Sequence, residues 1–262
     1  ASYAGPGLNA RIVRGAARVR GKVITERDID AVVQAAMQAA PAPHLTFLHV
    51  EPLRYTIDDG EPISDPVGLP GAMLALDACI VTAPTAALNA LRQCIQQAGV
   101  QVEEIVAAPK AASFSALTAD ERDAGALLLD LGAGAIGIGV FAAEGLVHAE
   151  TVSSGGVRLT RDLAQRLETT FAAAERVKLA FGAVGGACDP REAVEAPRLG
   201  LDGRLEAATT LRGVIAETLT PRLAEMLIAT RDRLARAGFS GENAPKRAVL
   251  VGGGALIPGA RD

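Results

Sequence analysis

Two short glycine-rich loops, Gly132-Ala133-Gly134 and Gly252-Gly253-Gly254, lie about 120 residues apart, and each follows directly on an apolar stretch. Ala126 to Asp130 leads into the first, and Arg247 to Val251 leads into the second. A buried strand that runs into consecutive small residues lets its backbone approach a neighbour or a ligand, because no Cβ stands in the way. Backbone N–H groups exposed in such a turn can cradle phosphate. The second loop sits before an expected helix, whose N-terminus favours anions and ring edges. On spacing alone, a tight hairpin without ligand is the commoner explanation of the first loop. Strand-then-glycine turns like the second are also frequent in α/β proteins. The pair together fits one nucleotide held between two strand ends. Asp130, at the end of the first strand, is placed to hold Mg²⁺ through water.

The composition agrees with an α/β chain. Of 262 residues, 49 % are apolar, but only 3 % are aromatic and none is Trp. The core must therefore be built from Ala, Leu, Val and Ile, which suits Ala-rich helices on aliphatic strands. The net charge is −4 and no Lys/Arg block stands beside aromatic residues, which argues against nucleic-acid binding. Cys79, Cys94 and Cys188 are far apart and odd in number, so free thiols in a reducing compartment are expected. No run approaches the roughly 20 apolar residues of a membrane span, and no signal peptide opens the sequence. The expectation is a cytoplasmic protein that reaches a membrane only through something outside this sequence. His44, His49 and His148 form no metal or triad pattern, and Ser153 and Ser154 lack a G-x-S-x-G context.

Along the chain, Ile12 to Val23 reads as a strand pair. Thr25, with Asp28 three residues on, starts a helix. Ile29, Val32, Val33, Ala36, Met37 and Ala40 form its apolar stripe, and Pro41 and Pro43 end it. Leu45 to Val50 and Arg54 to Ile57 read as two strands, and Ala72 to Val81 as another. Residues 13–82 therefore form a βαββ-like module. A helix with Leu88, Leu91, Ile95 and Ala98 closes at Gly99. Val102 to Ala107 reads as a strand, and a helix starts at Pro109. Ala126 to Asp130, Ala135 to Ala142 and Leu146 to Val152 read as three strands, the last two joined by a turn at 143–145. Helices are expected at 159–167, 172–181 and 206–237, the last interrupted at Pro221. Residues 183–203 read as a Gly/Pro/Asp-rich connection. Glu175 and Lys178 lie three apart on one helix. A surface ion pair is the bland account, and a pair gripping a nucleoside is the functional one. Gly155-Gly156 is a turn in either account.

Several stretches resemble one superfamily. Leu127 to Gly134 resembles the second phosphate motif of the actin, Hsp70 and sugar-kinase superfamily, and Val249 to Gly259 resembles its adenosine motif. Within it, His49 to Asp58 and Asp65 to Gly71 resemble the inserted subdomain of the bacterial cell-division FtsA family. Ala174 to Gly182 resembles that family's nucleoside-contacting helix, and Gly155-Gly156 with Thr160 to Ala164 also matches. The resemblance runs from about residue 13 to the end, with the motifs in order.

The resemblance implies an α/β, actin-like two-lobed ATPase fold with an FtsA-specific inserted subdomain, represented by a partial chain. Residues 1–12 and 85–122 would belong to the first lobe, with 13–84 inserted. Residues 123–181 and 239–262 would form the second lobe, with 182–238 its accessory subdomain. ATP and Mg²⁺ are the implied cofactors. Gly132, Ala133 and Gly134 would face phosphates. Glu175, Lys178, Gly252, Gly253 and Gly254 would surround the nucleoside, with Gly155 and Gly156 beside them. The implied role is a scaffold that tethers FtsZ to the cytoplasmic face of the inner membrane at the division site. The FtsZ C-terminal tail would dock on residues 182–238, the protein would self-associate into filaments, and the insert would contact other divisome proteins. Membrane attachment would require a C-terminal amphipathic helix, and the first phosphate loop would lie before residue 1. Ala135 and Gly137 depart from the family, which usually has a hydroxyl at the first position and often Asp at the second. At most, a weak Mg-dependent ATPase is expected. The alternatives are the pilus-assembly actin-like protein and, further off, a superfamily kinase.

Overall fold

The computed structural model describes every residue except Pro41, Ala42, Glu144 and Asp262. The expected helix stop at Pro41 and the middle of the 143–145 turn lie outside the described residues. In chain order the elements begin with β1 (Ser2–Tyr3), β2 (Asn9–Arg18), α1 (Glu26–Ala39), β3 (Leu45–Ile57), β4 (Pro62–Ile63), β5 (Met73–Pro84) and α2 (Thr85–Gln97). Then come β6 (Val106–Ala107), α3 (Ala108–Ala116), α4 (Ala119–Asp123), β7 (Ala126–Leu131), β8 (Ile136–Ala142) and β9 (Gly145–Val152). Helices α5 (Gly156–Arg166) and α6 (Phe171–Phe181) follow, and four short strands come next: β10 (Ala193–Glu195), β11 (Arg198–Leu199), β12 (Leu205–Glu206) and β13 (Thr209–Leu211). Helix α7 (Arg212–Arg236) and β14 (Ala248–Val251) complete the set, with 3₁₀ turns at Gly241–Asn243 and Gly253–Leu256.

Two compact units divide the chain. The first comprises residues 1–128, 137–151 and 245–249, and the second residues 129–136, 152–244 and 250–262. Most of an eight-stranded sheet with the order β14-β7-β8-β9-β2-β5-β3-β4 lies in the first unit, the ends of β7 and β14 belonging to the second. Its heart is the βαββ module. β5 pairs antiparallel with β2 on one side and with β3 on the other, and α1 covers one face. The expected stripe of α1 docks as read. Val32 and Ala36 are buried, and Ile29 and Val33 pack partly buried against Leu74, Leu76, Ala78 and Ile80 of β5. Each such fully buried aliphatic side chain contributes about 1.5–3 kcal/mol. The helix begins where expected, because the Asp28 carboxylate accepts from the Thr25 N–H (2.9 Å), the Thr25 hydroxyl (2.7 Å) and the Arg20 N–H (3.2 Å). The imperfect alternation of β5 has a reason. From Ala78 to Val81 every residue is buried, so both faces of the strand are covered there.

Several local expectations are corrected. Ile12 to Val23 does not form a strand pair: one strand, β2, ends at Arg18, and Val23 makes only an isolated bridge to Pro70. The two strands expected at 45–50 and 54–57 are one, β3. Its register shifts between Phe47 and His49 and again between Pro52 and Arg54. A proline lacks the N–H of a regular ladder, and a bulge accommodates it. The strand expected at 102–107 is only Val106–Ala107, parallel to β1.

The second unit packs α5 against both α6 and α7. Residues 206–211 are not helical: two small antiparallel pairs, β10 with β13 and β11 with β12, occupy 193–211. Nor does Pro221 interrupt α7, which runs unbroken from Arg212 to Arg236. Proline inside a helix costs about 3 kcal/mol through one lost hydrogen bond and a clash. Here it stands on the exposed face, where water can solvate the orphaned carbonyl, while Ile215, Leu219, Leu223, Met226 and Leu234 bury the opposite stripe.

Candidate functional site

Within the second unit, three segments converge on a cavity of about 270 Å³. Leu131, Gly132 and Ala133 form one wall, with Gly156 at the start of α5. Glu175, Lys178, Leu179 and Gly182 of α6 form the second. Gly253, Gly254 and Leu256 to Pro258 form the third.

The first glycine loop is fastened to α5 by its carbonyls. The Gly156 N–H donates to Gly132 O (3.0 Å) and the Val157 N–H to Ala133 O (2.8 Å). The Gly132 N–H is used within the loop, by Ala135 O at 3.0 Å and Asp130 O at 2.9 Å. Gly155 has an extended backbone that any residue could adopt, with φ −158°. It must be glycine for space, because a Cβ there would lie 2.5 Å from Ala133 O and 2.6 Å from Ala135 N. Gly252 needs its lack of side chain twice over. Its φ is +82°, and a Cβ would collide with Asp130 Oδ1 and approach Leu131 O to 2.9 Å.

The polar floor of the cavity is a network of buried Lys178 and Thr160 with half-buried Glu175. Lys178 Nζ donates to Glu175 Oε2 at 2.7 Å, to Thr160 Oγ1 at 2.8 Å and to Gly156 O at 3.4 Å. The Thr160 hydroxyl also contacts Glu175 Oε2 and lies 3.0 Å from Gly156 O. Lys178 is only 9 % exposed, so Glu175 and Lys178 are not the surface ion pair that their i,i+3 spacing allowed. Burial opposes the charge on Glu175, but hydrogen bonds from Lys178 and Thr160, with the lysine charge, hold its carboxyl below the usual carboxylate range. Both Lys178 and Thr160 bond through Oε2. A carboxylate has two acceptor oxygens.

The expected site residues therefore separate. Gly132, Ala133, Gly156, Glu175, Lys178, Gly253 and Gly254 line the cavity. Gly134 is exposed beside it, with open space at its Cα. Gly155 and Gly252 lie behind the wall and hold the loops in place. Asp130 is half-buried against Gly252, and burial raises its pKa. The residue reasoning missed the apolar wall of Leu159, Leu179, Leu256, Ile257 and Pro258, and the hydroxyl of Thr160. The signal for Thr160 was its spacing, four residues after Gly156, which allows a threonine to bond the carbonyl one turn back. Among the described residues no group of three or more His, Cys, Asp or Glu side chains is arranged to hold a metal, and no helix is long and apolar enough to cross a membrane.

The chain is similar to known proteins. A model of the SHS2 domain inserted in FtsA matches residues 5–82, and a model of cell division protein FtsA matches residues 127–262. Cell division protein FtsA of Agrobacterium fabrum is 34 % identical over 240 residues, covering 91 % of this chain and 54 % of that protein. FtsA of Escherichia coli is 30 % identical over 244 residues, covering 90 % and 57 %. The chain thus spans about half the length of these curated relatives. Among solved structures, a chain of the PilM–PilN type IV pilus biogenesis complex superposes with TM-score 0.60 at 18 % identity, covering 96 % of this chain and 62 % of that one. MreB 5 of Spiroplasma citri bound to AMPPNP gives TM-score 0.54 at 18 % identity, covering 67 % and 55 %. Likeness at such identities shows the fold, which is actin-like α/β. The SHS2 model over residues 5–82 and the FtsA model over residues 127–262 together show that the chain belongs to the FtsA family of cell-division proteins.

Proposed function

We propose that the cavity binds the nucleoside of ATP and that the chain is the nucleotide-holding part of an actin-like division scaffold. The observation that carries this reading is the Glu175–Lys178–Thr160 network at the floor of an otherwise apolar cavity. A volume of about 270 Å³ lies just below the roughly 300–1,000 Å³ of drug-sized ligand sites. It suits a nucleoside, with the phosphates extending outward. The walls of Leu159, Leu179, Leu256 and Ile257 would sandwich a base, and the Glu175 carboxylate would accept from sugar hydroxyls. The phosphates would meet the N–H groups of Ala133 and Gly134, since that of Gly132 is taken. The neighbouring actin-like protein bound to AMPPNP supports this assignment by analogy of fold.

Mg²⁺ would neutralise phosphate charge. The nearby candidate to hold it is Asp130, through water. Burial disfavours the charge on Asp130, and a cation would relieve that penalty. Ala135 offers no hydroxyl and Gly137 no carboxylate to the phosphates, so binding outlasts efficient hydrolysis in this reading. The family supports the wider role: tethering FtsZ through residues 182–238, self-association into filaments, and contact with divisome proteins through residues 13–84. Attachment to the inner membrane would come from an amphipathic helix outside these 262 residues.

A fluorescent ATP analogue titrated with Mg²⁺ into the full chain tests the site. Saturable binding is expected, weakened in Asp130→Ala and in Gly253→Val, whose side chain would fill the open space in front of Gly253. Absence of binding by the wild type would leave a purely structural adaptor.

A further inference from the structure

Thr160 lies one turn into α5, wholly buried, and its hydroxyl is the only polar atom of its side chain. Its oxygen lies 2.8 Å from Lys178 Nζ, 3.0 Å from Gly156 O and in contact with Glu175 Oε2. A hydroxyl has one proton and two lone pairs. The ammonium is a donor only, so Thr160 accepts from Lys178. Its single proton goes to Glu175 Oε2, which is nearer than the Gly156 carbonyl and carries the negative charge. Both charged residues of the cavity floor are therefore tied, through one side chain on a different helix, to the backbone that anchors the glycine loop.

We propose that Thr160 is a positioning residue for the nucleotide site: it fixes the Glu175–Lys178 pair so that Oε2 is held internally and Oε1 is presented to the ligand. The inference rests on the nucleotide reading above, which counts Thr160 in the network but assigns its hydroxyl no task of its own. Without the hydroxyl, Lys178 keeps two acceptors and Glu175 loses one donor. Oε2 is then held by Lys178 alone, and the carboxylate is less restricted in which oxygen it turns toward the cavity. The helix itself does not require the hydroxyl, because valine has nearly the same shape and fills the same space.

The experiment has two readouts on the full chain, with Thr160→Val and Thr160→Ser. The first needs no ligand: the Glu175 carboxyl is titrated by ¹³C NMR in each variant. Thr160→Val is expected to raise the Glu175 pKa from its wild-type value, and Thr160→Ser to leave it near that value. The second is the affinity and pH profile for a fluorescent ATP analogue. Thr160→Val is expected to bind about tenfold more weakly, with the acid limb moved to higher pH, and Thr160→Ser to bind within about twofold of wild type. Far-UV circular dichroism checks that each variant is folded. A folded Thr160→Val with an unchanged Glu175 titration overturns the positioning role, as does unchanged nucleotide affinity in a wild type that binds. If the wild type binds no nucleotide and the Glu175 titration still moves in Thr160→Val, the nucleotide reading falls and the role of Thr160 in fixing the pair stands. If Thr160→Val does not fold, Thr160→Ser decides: a Glu175 titration displaced despite the retained hydroxyl overturns the proposal, and an undisplaced one supports it.

Discussion

Replacing Gly155 by alanine puts the glycine-loop geometry under direct strain. The backbone of Gly155 is extended, so the substitution costs nothing in φ. The whole cost is steric. The new methyl would stand 2.5 Å from Ala133 O, 2.6 Å from Ala135 N and 2.7 Å from Ala133 C. Comfortable carbon contacts lie at about 3.5–4.0 Å, so the loop must retreat by roughly 1 Å. All three atoms are backbone, and no flexible side chain can yield. Retreat stretches the bonds from Gly156 N to Gly132 O and from Val157 N to Ala133 O. Two such bonds are worth about 1–3 kcal/mol net, and overpacking adds about 1–3 kcal/mol. The loss should therefore be about 2–6 kcal/mol, or a Tm lower by roughly 5–25 °C. Gly134→Ala is the matched control, because nothing stands within 4 Å of a Cβ there. It should change stability by no more than about 0.5 kcal/mol. Thermal melts of the three proteins, with ATP-analogue titrations alongside, make the comparison. Gly155→Ala that melts with the wild type and binds equally would refute the loop-against-α5 packing.

Two predictions concern the first unit. His49 Nε2 accepts the Ala107 N–H at 2.9 Å, so the ring is neutral. Burial, followed by the charge of Lys110, lowers its pKa against the opposing pull of Glu51 and Glu104. A base with a folded pKa below its unfolded value contributes stability that is complete above about pH 6.5 and is lost as pH falls through the folded value. Urea midpoints should fall between about pH 7.5 and pH 5.5 by more in the wild type than in His49→Gln, and equal falls would remove His49 from the account. Cys79, buried in β5, has its thiol pushed up to about 12, whereas Cys94 is exposed. Ellman's reagent should modify Cys94 in the native protein and Cys79 only on unfolding, and equal native rates would show that β5 is not sealed.

The legible and illegible parts of the molecule differ by the range of the interactions that decide them. The start of α1 could be read because Thr25 and Asp28 satisfy each other within one turn. Its stripe could be read because one helix face meets one sheet. The three strands from Ala126 to Val152 and the glycine loop between the first two also followed from local pattern, since short apolar runs bounded by small residues have few other uses. Pro221 misled because its local penalty is real, yet the cost falls on the exposed face of a helix whose other face is buried. Residues 51–53 misled in the same sense: two strands were expected on either side of them, and one ladder runs through with a register shift between Pro52 and Arg54.

By itself the sequence determined the α/β class, the two strand-end glycine loops and, through its motifs, the family. Each depends on neighbours within a few residues or on short strings of fixed order. Tertiary structure alone decided which of the candidate residues face a common space. Glu175 and Lys178 became a pair with a buried lysine because α6 packs on α5, which brings in Thr160 from 15 and 18 residues away. Gly155 and Gly252 became packing residues because Ala133 and Asp130 press against them from distant parts of the chain. Burial and contact depend on which surfaces meet, and a linear pattern records only which surfaces are able to.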